Sequence, residues 1–247
     1  MSQKTSQRYK DAAALAAILE VQRAVEVATS GVIDYLKQSP KPIAEEAHLL
    51  IDKILQQFGC ESPEGHIVAG GIQAIEPHNV GTGVLERNQS IVIDIYPRSV
   101  KTGYWADMSR TVCLGTPSVE LQTLYDTVLA AQQLAIGMVA PGVACAQIQE
   151  AVEDFFIQAG YTTSGTGTEF AYAEGFVHGV GHGVGKQIHE APRVNGRSGD
   201  VLEVGDVITI EPGLYYASLG AVRIEDMVVV TEAGANNLTR FPKTFVI

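Results

Sequence analysis

Cysteine, basic charge and long apolar runs are all scarce in this chain of 247 residues. The three cysteines are odd in number and include no CxxC pair, which argues against a disulfide framework and against a thiolate zinc site. The formal net charge of −11 argues against nucleic-acid and anionic-membrane partners, because both require a basic face. No apolar run approaches the length of a membrane span. These absences predict a protein of the reduced cytoplasm.

No low-complexity tract or long linker divides the sequence, so we predict a single domain over residues 1–247. Hydrophobic periodicity predicts helices at 8–37, 43–58 and 144–159, a helix capped by Thr116 with Pro117 at its first position, and strands at 66–69, 90–96, 103–114, 206–211 and 221–230. Each half thus has two helices followed by strands. This repeat predicts an α+β fold in which helices cover one curved antiparallel sheet.

Histidine and glycine are concentrated between Gly175 and Pro192. His178, His182 and His189 lie in this segment, among closely spaced glycines. Short histidine-rich tracts are typical of metal sites, although imidazole also serves as a base, a donor or a polar group of the core. The segment is a poor helix, and we expect it to form the wall of a site.

Four carboxylates occupy strand segments in two matched pairs. Asp94 interrupts an apolar strand, and Asp107 follows thirteen positions later on the next strand. Glu211 ends a strand, and Glu225 follows fourteen positions later. Aspartate is depleted in strands, and a buried unpaired carboxylate is costly. Each carboxylate alone has an ordinary explanation, such as an ion pair between Glu225 and Arg223, but the matched set favours a bound cation.

Four carboxylates and one imidazole form a hard, oxygen-rich set of ligands. Such a set suits Mn²⁺, Fe²⁺, Co²⁺ or Zn²⁺ rather than copper. Four carboxylates around one dication would leave excess negative charge, so two metal ions that share bridging carboxylates fit the set better. We therefore expect two divalent metal ions, with manganese ranked ahead of cobalt, zinc and iron.

Six motifs resemble the catalytic domain of the methionine aminopeptidase/prolidase/aminopeptidase P metallopeptidases, whose fold is called pita-bread. The motifs are Ile93–Ile95, Ala106–Thr111, His178–Gly185, His189–Pro192, Ile210–Gly213 and Val222–Asp226. They occur in the family's order and span most of the chain; each is weak alone, but the set is specific. The resemblance implies a domain of two pseudo-twofold related halves, in agreement with the repeated order of helices and strands.

The resemblance also implies the metal ligands, which are Asp94, Asp107, His182, Glu211 and Glu225. In the family's pattern Asp107 and Glu225 bridge the two metal ions. Asp94 completes the first ion, while His182 and Glu211 complete the second. A metal-bridging hydroxide would attack the scissile carbonyl, with Glu211 as the proton shuttle.

Four further residues match catalytic or substrate-binding positions of the family. His78 matches the upstream catalytic histidine and His189 the downstream one, and either would hold the substrate or donate to the oxyanion. His178 and Arg223 resemble the prolidase and aminopeptidase P branch. Both are expected in the substrate-binding site, with His178 contacting the residue after the scissile bond.

The sequence departs from that branch at two places. Its first helix begins near residue 8, so the N-terminal domain usual in prolidases is expected to be absent. The turn from Tyr96 to Tyr104 is slightly longer than usual in the family, and we expect it to reshape one rim of the cleft.

The resemblance favours an exopeptidase of the Xaa-Pro type that acts on peptides, with a homodimer expected by analogy. Three alternatives stay open. A methionine aminopeptidase is supported by the expected lack of an N-terminal domain, and a creatinase-like hydrolase would break a C–N bond of a small guanidino compound. A binding module would use the fold without catalysis, but the complete set of ligands argues against it.

Overall fold

Two helices and then a group of strands form the first half of the protein, in a computed structural model that describes residues 8–163 and 174–247. The elements of this half are α1 (Ala12–Gln38), α2 (Ala44–Gln57), β1 (Cys60–Glu61), β2 (His66–Gly70), a 3₁₀ turn (Gly71–Ile75), β3 (Ser90–Ile95), β4 (Arg98–Ser99) and β5 (Met108–Cys113). Strands β2, β3 and β5 form an antiparallel sheet in the order β2-β3-β5. Strands β1 and β4 form a separate two-stranded ladder.

The second half repeats this order with more strands. Its elements are α3 (Val119–Met138), α4 (Cys145–Gln158), β6 (Gly181–Gly183), β7 (Glu190–Val194), β8 (Val207–Ile210), β9 (Gly213–Tyr216), β10 (Gly220–Arg223), β11 (Asp226–Thr231) and β12 (Gly234–Asn237). Five strands form an antiparallel sheet in the order β12-β11-β8-β6-β7, and β9 pairs with β10. The predicted mixture of helices and antiparallel sheets is confirmed. Within the described ranges, however, backbone hydrogen bonds divide the strands among several ladders rather than one sheet.

A serine sets the start of α3, two residues later than predicted. The side chain of Ser118 accepts a hydrogen bond from the backbone N–H of Leu121 at 3.1 Å, so the helix begins at Val119. The prediction of a start at Thr116-Pro117 was wrong. The backbone N–H of Thr116 donates instead to Asn88 Oδ1 at 2.8 Å, which ties this residue to the preceding loop.

The predicted strand at 221–230 is broken in the middle. Strand β10 ends at Arg223 and pairs with β9, whereas β11 begins at Asp226 and pairs with β8. Glu225 lies in the break, and its backbone N–H donates to the carbonyl of Ser109 on β5 at 3.1 Å. The break therefore places Glu225 where the sheets of the two halves meet.

Apolar side chains from each pair of helices pack against the strands of the same half. One buried cluster joins α1 and α2 to β3 and β5, with Ile18, Leu55, Ile93 and Met108 among its members. A second cluster joins α3 and α4 to β8 and β11. Strands β3, β5 and β8 are buried along their whole length, so their polar side chains need partners. Among the helices that the structure describes, none is both long and apolar enough to cross a membrane.

One buried arginine joins the two main sheets behind the cavity described below. The guanidinium of Arg110, on β5, donates to Asp226 Oδ1 at 2.9 Å and to the carbonyl of Glu225 at 2.6 Å. The other carboxylate oxygen of Asp226 is 2.6 Å from Lys243 Nζ and accepts from Asn237 at 2.7 Å. Burial acts to raise the pKa of Asp226, but Arg110 and Lys243 hold it below its ordinary value. Asp226 thus has a structural role at this joint.

Candidate active site

A cavity of about 310 Å³ opens where the two halves meet. Its lining includes every residue that the sequence predicts for metal binding, catalysis or substrate contact: His78, Asp94, Asp107, His178, His182, His189, Glu211, Arg223 and Glu225. The structure therefore brings these residues together at one place. The role of each residue stays a prediction.

The ends of paired strands place the four carboxylates. Asp94 lies within β3, and Asp107 immediately precedes β5. Glu211 immediately follows β8, and Glu225 immediately precedes β11. Because β3 pairs with β5 and β8 pairs with β11, each carboxylate pair is held beside one end of an antiparallel ladder. Only Asp94 lies inside a strand; the other three lie at strand ends, where the backbone turns into the cavity.

Three of the predicted ligands already lie at metal-binding distances from one another. Asp107, His182 and Glu225 each offer one ligand atom, and these atoms all lie within 4.8 Å of each other. His182 Nε2 is 3.6 Å from Asp107 Oδ2 and 3.3 Å from Glu211 Oε1. Asp94 lies outside this group of three, with Oδ2 2.6 Å from the Arg223 guanidinium.

The buried oxygens of this cluster fit a divalent metal ion. Asp94 Oδ1, Asp107 Oδ1 and Glu225 Oε1 are buried, and none has a hydrogen-bond partner among residues 8–163 and 174–247. A buried carboxylate oxygen without a partner is costly, so native structures normally supply one. Carboxylate oxygens and an imidazole nitrogen are ligands that hard and borderline dications accept. The donor set therefore fits the predicted metal centre.

The hydrogen bonds of His182 leave one ring nitrogen available as a ligand. Its Nδ1 is 3.2 Å from the carbonyl of Gly183, which can only accept, so Nδ1 carries a proton, and Nε2, which faces Asp107 and Glu211, is the nitrogen that would bind a metal. The backbone N–H of His182 donates to Thr209 Oγ1 at 3.0 Å, and that hydroxyl donates to Glu211 Oε1 at 3.2 Å. Such outer contacts fix the orientation and tautomer of a ligating histidine.

Glycines allow the strand of His182 to approach its neighbours closely. A Cβ atom on Gly181 would overlap the carbonyl oxygen of Thr209 on β8, and one on Gly183 would overlap that of Ala191 on β7. Strand β6 can therefore lie between β7 and β8 only with glycine on both sides of the histidine. This contact explains the alternation of glycine and histidine seen in the sequence.

Crowded negative charge perturbs three of the carboxyl groups. Burial, followed by the charges of Asp94 and Glu211, raises the pKa of Asp107 well above its ordinary value. Burial, followed by the charge of Asp107, does the same to the pKa of Glu225. Burial also acts to raise the pKa of Glu211, but the contact with His182 and the charge of that histidine lower it to about 2. Glu211 is therefore ionised at neutral pH.

A buried network links His178 to Asp94 through a tyrosine that the sequence reading missed. His178 Nδ1 is 2.8 Å from the carbonyl of Gly179, and Nε2 is 2.8 Å from the hydroxyl of Tyr215. Arg223 donates from Nη1 to the same hydroxyl at 2.9 Å and from Nη2 to Asp94 Oδ2 at 2.6 Å. Because the carbonyl can only accept, Nδ1 of His178 carries the proton, and Nε2 accepts a hydrogen bond from the Tyr215 hydroxyl. Burial raises the pKa of Tyr215 to about 12 although Arg223 opposes it, so the hydroxyl keeps that proton.

This network describes the surroundings of His178 and Arg223, while their predicted contact with substrate stays a prediction. Both ring nitrogens of His178 contact protein atoms, and burial lowers its pKa, so the ring is neutral. Arg223 is only 3% exposed, and it also donates to Ser109 Oγ and to the carbonyl of Pro77, the residue before His78. Arg223 thus contacts Asp94 directly, and His178 is linked to it through the Tyr215 hydroxyl. Nothing in the sequence marks Tyr215, because an aromatic residue in a strand is equally typical of the core.

His189 lies directly beside the metal-ligand candidate His182. The two ring centroids are 4.3 Å apart in an edge-to-face arrangement. Burial, followed by the charge of His182, lowers the pKa of His189 to about 4, so the ring is neutral at pH 7. The next residue, Glu190, forms a 2.7 Å ion pair with the buried Lys10 Nζ. This pair ties the chain next to His189 to the segment that precedes α1.

Carboxylates and an imidazole that converge in a buried cavity are typical of metal sites, and comparison with known proteins identifies the family. The chain matches the model of Metallopeptidase family M24 over residues 16–232, and it belongs to that family. It is 33% identical over 223 residues to the Xaa-Pro dipeptidase of Pyrococcus furiosus, an alignment that covers 89% of this chain and 60% of the relative. The chain thus spans about three fifths of the length of this curated relative.

Solved structures of similar proteins share the fold. The Xaa-Pro dipeptidase from Bacillus anthracis matches with a TM-score of 0.87 and 28% identity over 99% of this chain and 65% of that one. The X-Pro aminopeptidase from Thermotoga maritima matches with a TM-score of 0.84 and 29% identity over 99% of this chain and 66% of that one. The predicted family is therefore confirmed, together with the pita-bread arrangement of helices and antiparallel sheets that its members share.

Without metal, the crowded charge at Asp107 should destabilise the fold at alkaline pH. A carboxyl group with a higher pKa in the folded than in the unfolded chain lowers the free energy of unfolding as the pH rises. Asp107→Asn should therefore be more stable than the unmodified protein at pH 8. Its free energy of unfolding should be higher by about 1.4 kcal/mol for each pKa unit by which folding raises the pKa of Asp107. The difference should shrink at pH 5.5, where more of Asp107 is protonated. Urea unfolding in the presence of a chelator measures both values.

Asp154→Asn is the matched control, because Asp154 is an exposed carboxylate on α4. It should change the free energy of unfolding by less than about 0.5 kcal/mol at either pH. A metal-free Asp107→Asn variant that is less stable than the unmodified protein at pH 8 would show that the cluster is not electrostatically strained.

Proposed function

We propose that this protein is a dinuclear metal-dependent exopeptidase that hydrolyses the bond between an N-terminal residue and proline. The observation that carries the proposal is the convergence of Asp107, His182 and Glu225 within 4.8 Å of one another in a buried cavity. Membership of Metallopeptidase family M24 and the names of the relatives, Xaa-Pro dipeptidase and X-Pro aminopeptidase, support the substrate class. We also propose that the two halves are duplicated units, which the repeated order of elements supports.

Five side chains would hold the two metal ions: Asp94, Asp107, His182, Glu211 and Glu225. Asp107 and Glu225 would hold both ions, as the family resemblance implies. Like Asp94, each has a buried oxygen without a hydrogen-bond partner in the described chain, which supports a role as a ligand. We rank manganese ahead of cobalt, zinc and iron for this oxygen-rich set. When bound, the ions would lower the pKa of a water molecule and polarise the scissile carbonyl.

Glu211 is the proposed proton shuttle. Its pKa of about 2 keeps the carboxylate ionised at neutral pH, ready to accept a proton from the attacking water. Its side chain is 18% exposed, compared with 6% for that of Asp107, so it reaches further into the cavity. The same carboxyl group would then deliver the proton to the proline nitrogen as the peptide bond breaks.

His189 and His78 are the proposed donors to the carbonyl oxygen as negative charge develops on it. With a pKa of about 4, His189 is neutral at pH 7, and its ring N–H can donate a hydrogen bond to the carbonyl oxygen. His78 lines the same cavity, directly after the carbonyl of Pro77 that Arg223 holds. Tyr215, His178 and Arg223 form the positioning network for Asp94.

The comparisons favour the Xaa-Pro activity over the methionine aminopeptidase alternative, since the matching relatives carry prolidase-type names. The complete set of ligands argues against a binding module. The three cysteines are free and buried, which fits the proposed cytoplasmic location. A homodimer stays a prediction by analogy.

The proposed reaction should appear in a peptide panel after reconstitution with Mn²⁺, Co²⁺ or Zn²⁺. Mass spectrometry should detect cleavage before proline in Ala-Pro or Ala-Pro-Ala-Lys, and no cleavage of a proline-free control. Asp107→Asn should reduce turnover to the level of a blank, because the metal ions lose a shared ligand. The Asp154→Asn control should keep full activity. Release of methionine from Met-Ala-Ser without cleavage before proline, or full activity of Asp107→Asn, would contradict the proposal.

Tyr215→Phe should impair turnover without removing any ligand. The change deprives His178 Nε2 and Arg223 Nη1 of a hydrogen-bond partner and loosens Asp94, so kcat/KM should fall by about 10- to 100-fold. Metal content, measured by elemental analysis, should stay at two ions per chain. Tyr216→Phe is the matched control, because the hydroxyl of Tyr216 accepts from the backbone N–H of Thr162 at 2.8 Å and belongs to a different contact. Equal activity of the two variants would exclude the positioning role of Tyr215.

A further inference from the structure

The long turn between Asp94 and Asp107 builds one rim of the cavity. Its short strand β4 pairs with β1, and the backbone N–H of Val100 donates to the carbonyl of Gly59 at 3.0 Å. Arg98 strengthens this ladder, with Nε and Nη2 at 2.8 and 2.7 Å from Glu61 Oε1. The turn therefore supports β1 and the segment that follows it.

The other side of the turn rests on the histidine-rich segment. The backbone N–H of Trp105 donates to the carbonyl of Gly185 at 2.9 Å, and its indole N–H donates to the carbonyl of Lys186 at 3.2 Å. Lys186 Nζ lies 4.1 Å from the centre of the Tyr104 ring and donates to the carbonyl of Thr102. Contacts on both sides fix the turn, so the rim it supports is an ordered part of the cavity.

This support places the side chain of Glu64 at the cavity. Glu64 lies in a tight turn closed by a hydrogen bond from the N–H of Gly65 to the carbonyl of Ser62 at 3.1 Å. Its own carbonyl contacts the Tyr96 hydroxyl at 3.5 Å, and Glu64, Ile67 and Tyr96 line the cavity together. The side chain of Glu64 therefore lies at the same cavity as the predicted ligands.

Glu64 is exposed, and it is the carboxylate of the lining that lies outside the predicted set of metal ligands. Within the described ranges its carboxylate forms neither an ion pair nor a hydrogen bond, whereas Asp94 is paired with Arg223. Arg193, on β7, lines the cavity beyond His189. The cavity thus carries a carboxylate near β2 and β3 and a guanidinium on β7. A peptide would place its ammonium end, and any cationic side chain of its first residue, on the side of Glu64.

From this arrangement we infer that Glu64 selects peptides whose N-terminal residue carries a cationic side chain, lysine or arginine. The inference rests on the proposed function, because it assumes that the N-terminal residue is the one removed. Glu64 makes no contact with the predicted ligands, so it contributes to binding of this side chain and not to the reaction. Replacing Glu64 should therefore change KM rather than kcat.

The test compares hydrolysis of Lys-Pro and Leu-Pro, whose first residues carry a cationic and a neutral aliphatic side chain. The unmodified protein should prefer Lys-Pro in kcat/KM by about fivefold at low ionic strength, as expected for one exposed ion pair. Glu64→Gln should remove this preference through KM with kcat unchanged, and Glu64→Lys should reverse it. Added salt should weaken the preference. Glu150→Gln, an exposed change of equal charge on α4, should leave it intact.

Two results would overturn the inference. The first is a preference for Lys-Pro that survives in Glu64→Gln. The second is an equal loss with both dipeptides, which would mean that Glu64 acts on the α-ammonium group or on the fold.

Cleavage of Leu-Pro by the unmodified protein upholds the proposed function whatever the role of Glu64. If neither dipeptide is cleaved, the proposed function fails, and calorimetric titration of both dipeptides into the unmodified protein and Glu64→Gln tests the selection alone. Tighter binding of Lys-Pro that is lost in the variant supports the inference. Equal binding of the two dipeptides by the unmodified protein overturns it.

Discussion

The surrounding structure has to compensate negative charge that is concentrated in a buried cavity. Asp94 and Glu211 have cationic or donor partners in Arg223 and His182, so their charge is partly balanced. Asp107 and Glu225 each keep a buried oxygen without a partner in the described chain, and burial raises the pKa of both. A polypeptide does not normally retain such groups unless something compensates them. In the proposed centre, two dications held by these carboxylates would provide that compensation.

The geometry of the cavity depends on buried contacts that cross between the two halves. Arg110 reaches from β5 to the carbonyl of Glu225 and to Asp226, which holds the break between β10 and β11 against the first sheet. Arg223 reaches in the opposite direction, from β10 to Asp94 on β3. Because each arginine is satisfied by groups from both halves, neither half can shift without exposing an uncompensated charge. These crossings give the ligands fixed positions before any metal binds, as an efficient metal site requires.

The cluster could be predicted from the sequence because the two carboxylates of each pair are close together in the chain. A carboxylate inside an apolar strand, followed thirteen or fourteen positions later by a second one, is brought next to its partner by any short antiparallel connection. The break at Glu225 could not be predicted in this way, because the apolar pattern along 221–230 is continuous. The segment is divided only because β10 pairs with β9 and β11 pairs with β8. Sequence reasoning also missed Tyr215 and Glu64. Their importance comes from which residues they meet in space, and periodicity carries no information on that.

The central claim is that this cavity holds two metal ions on one set of shared carboxylates. The most direct measurement is the number of ions per chain after the metal-free protein is dialysed against Mn²⁺ and analysed by elemental mass spectrometry. Two ions per chain, falling below two in Glu225→Gln, is the expected result. Stoichiometry of one or zero in the unmodified protein would contradict a dinuclear centre, whatever peptides the protein is found to cleave.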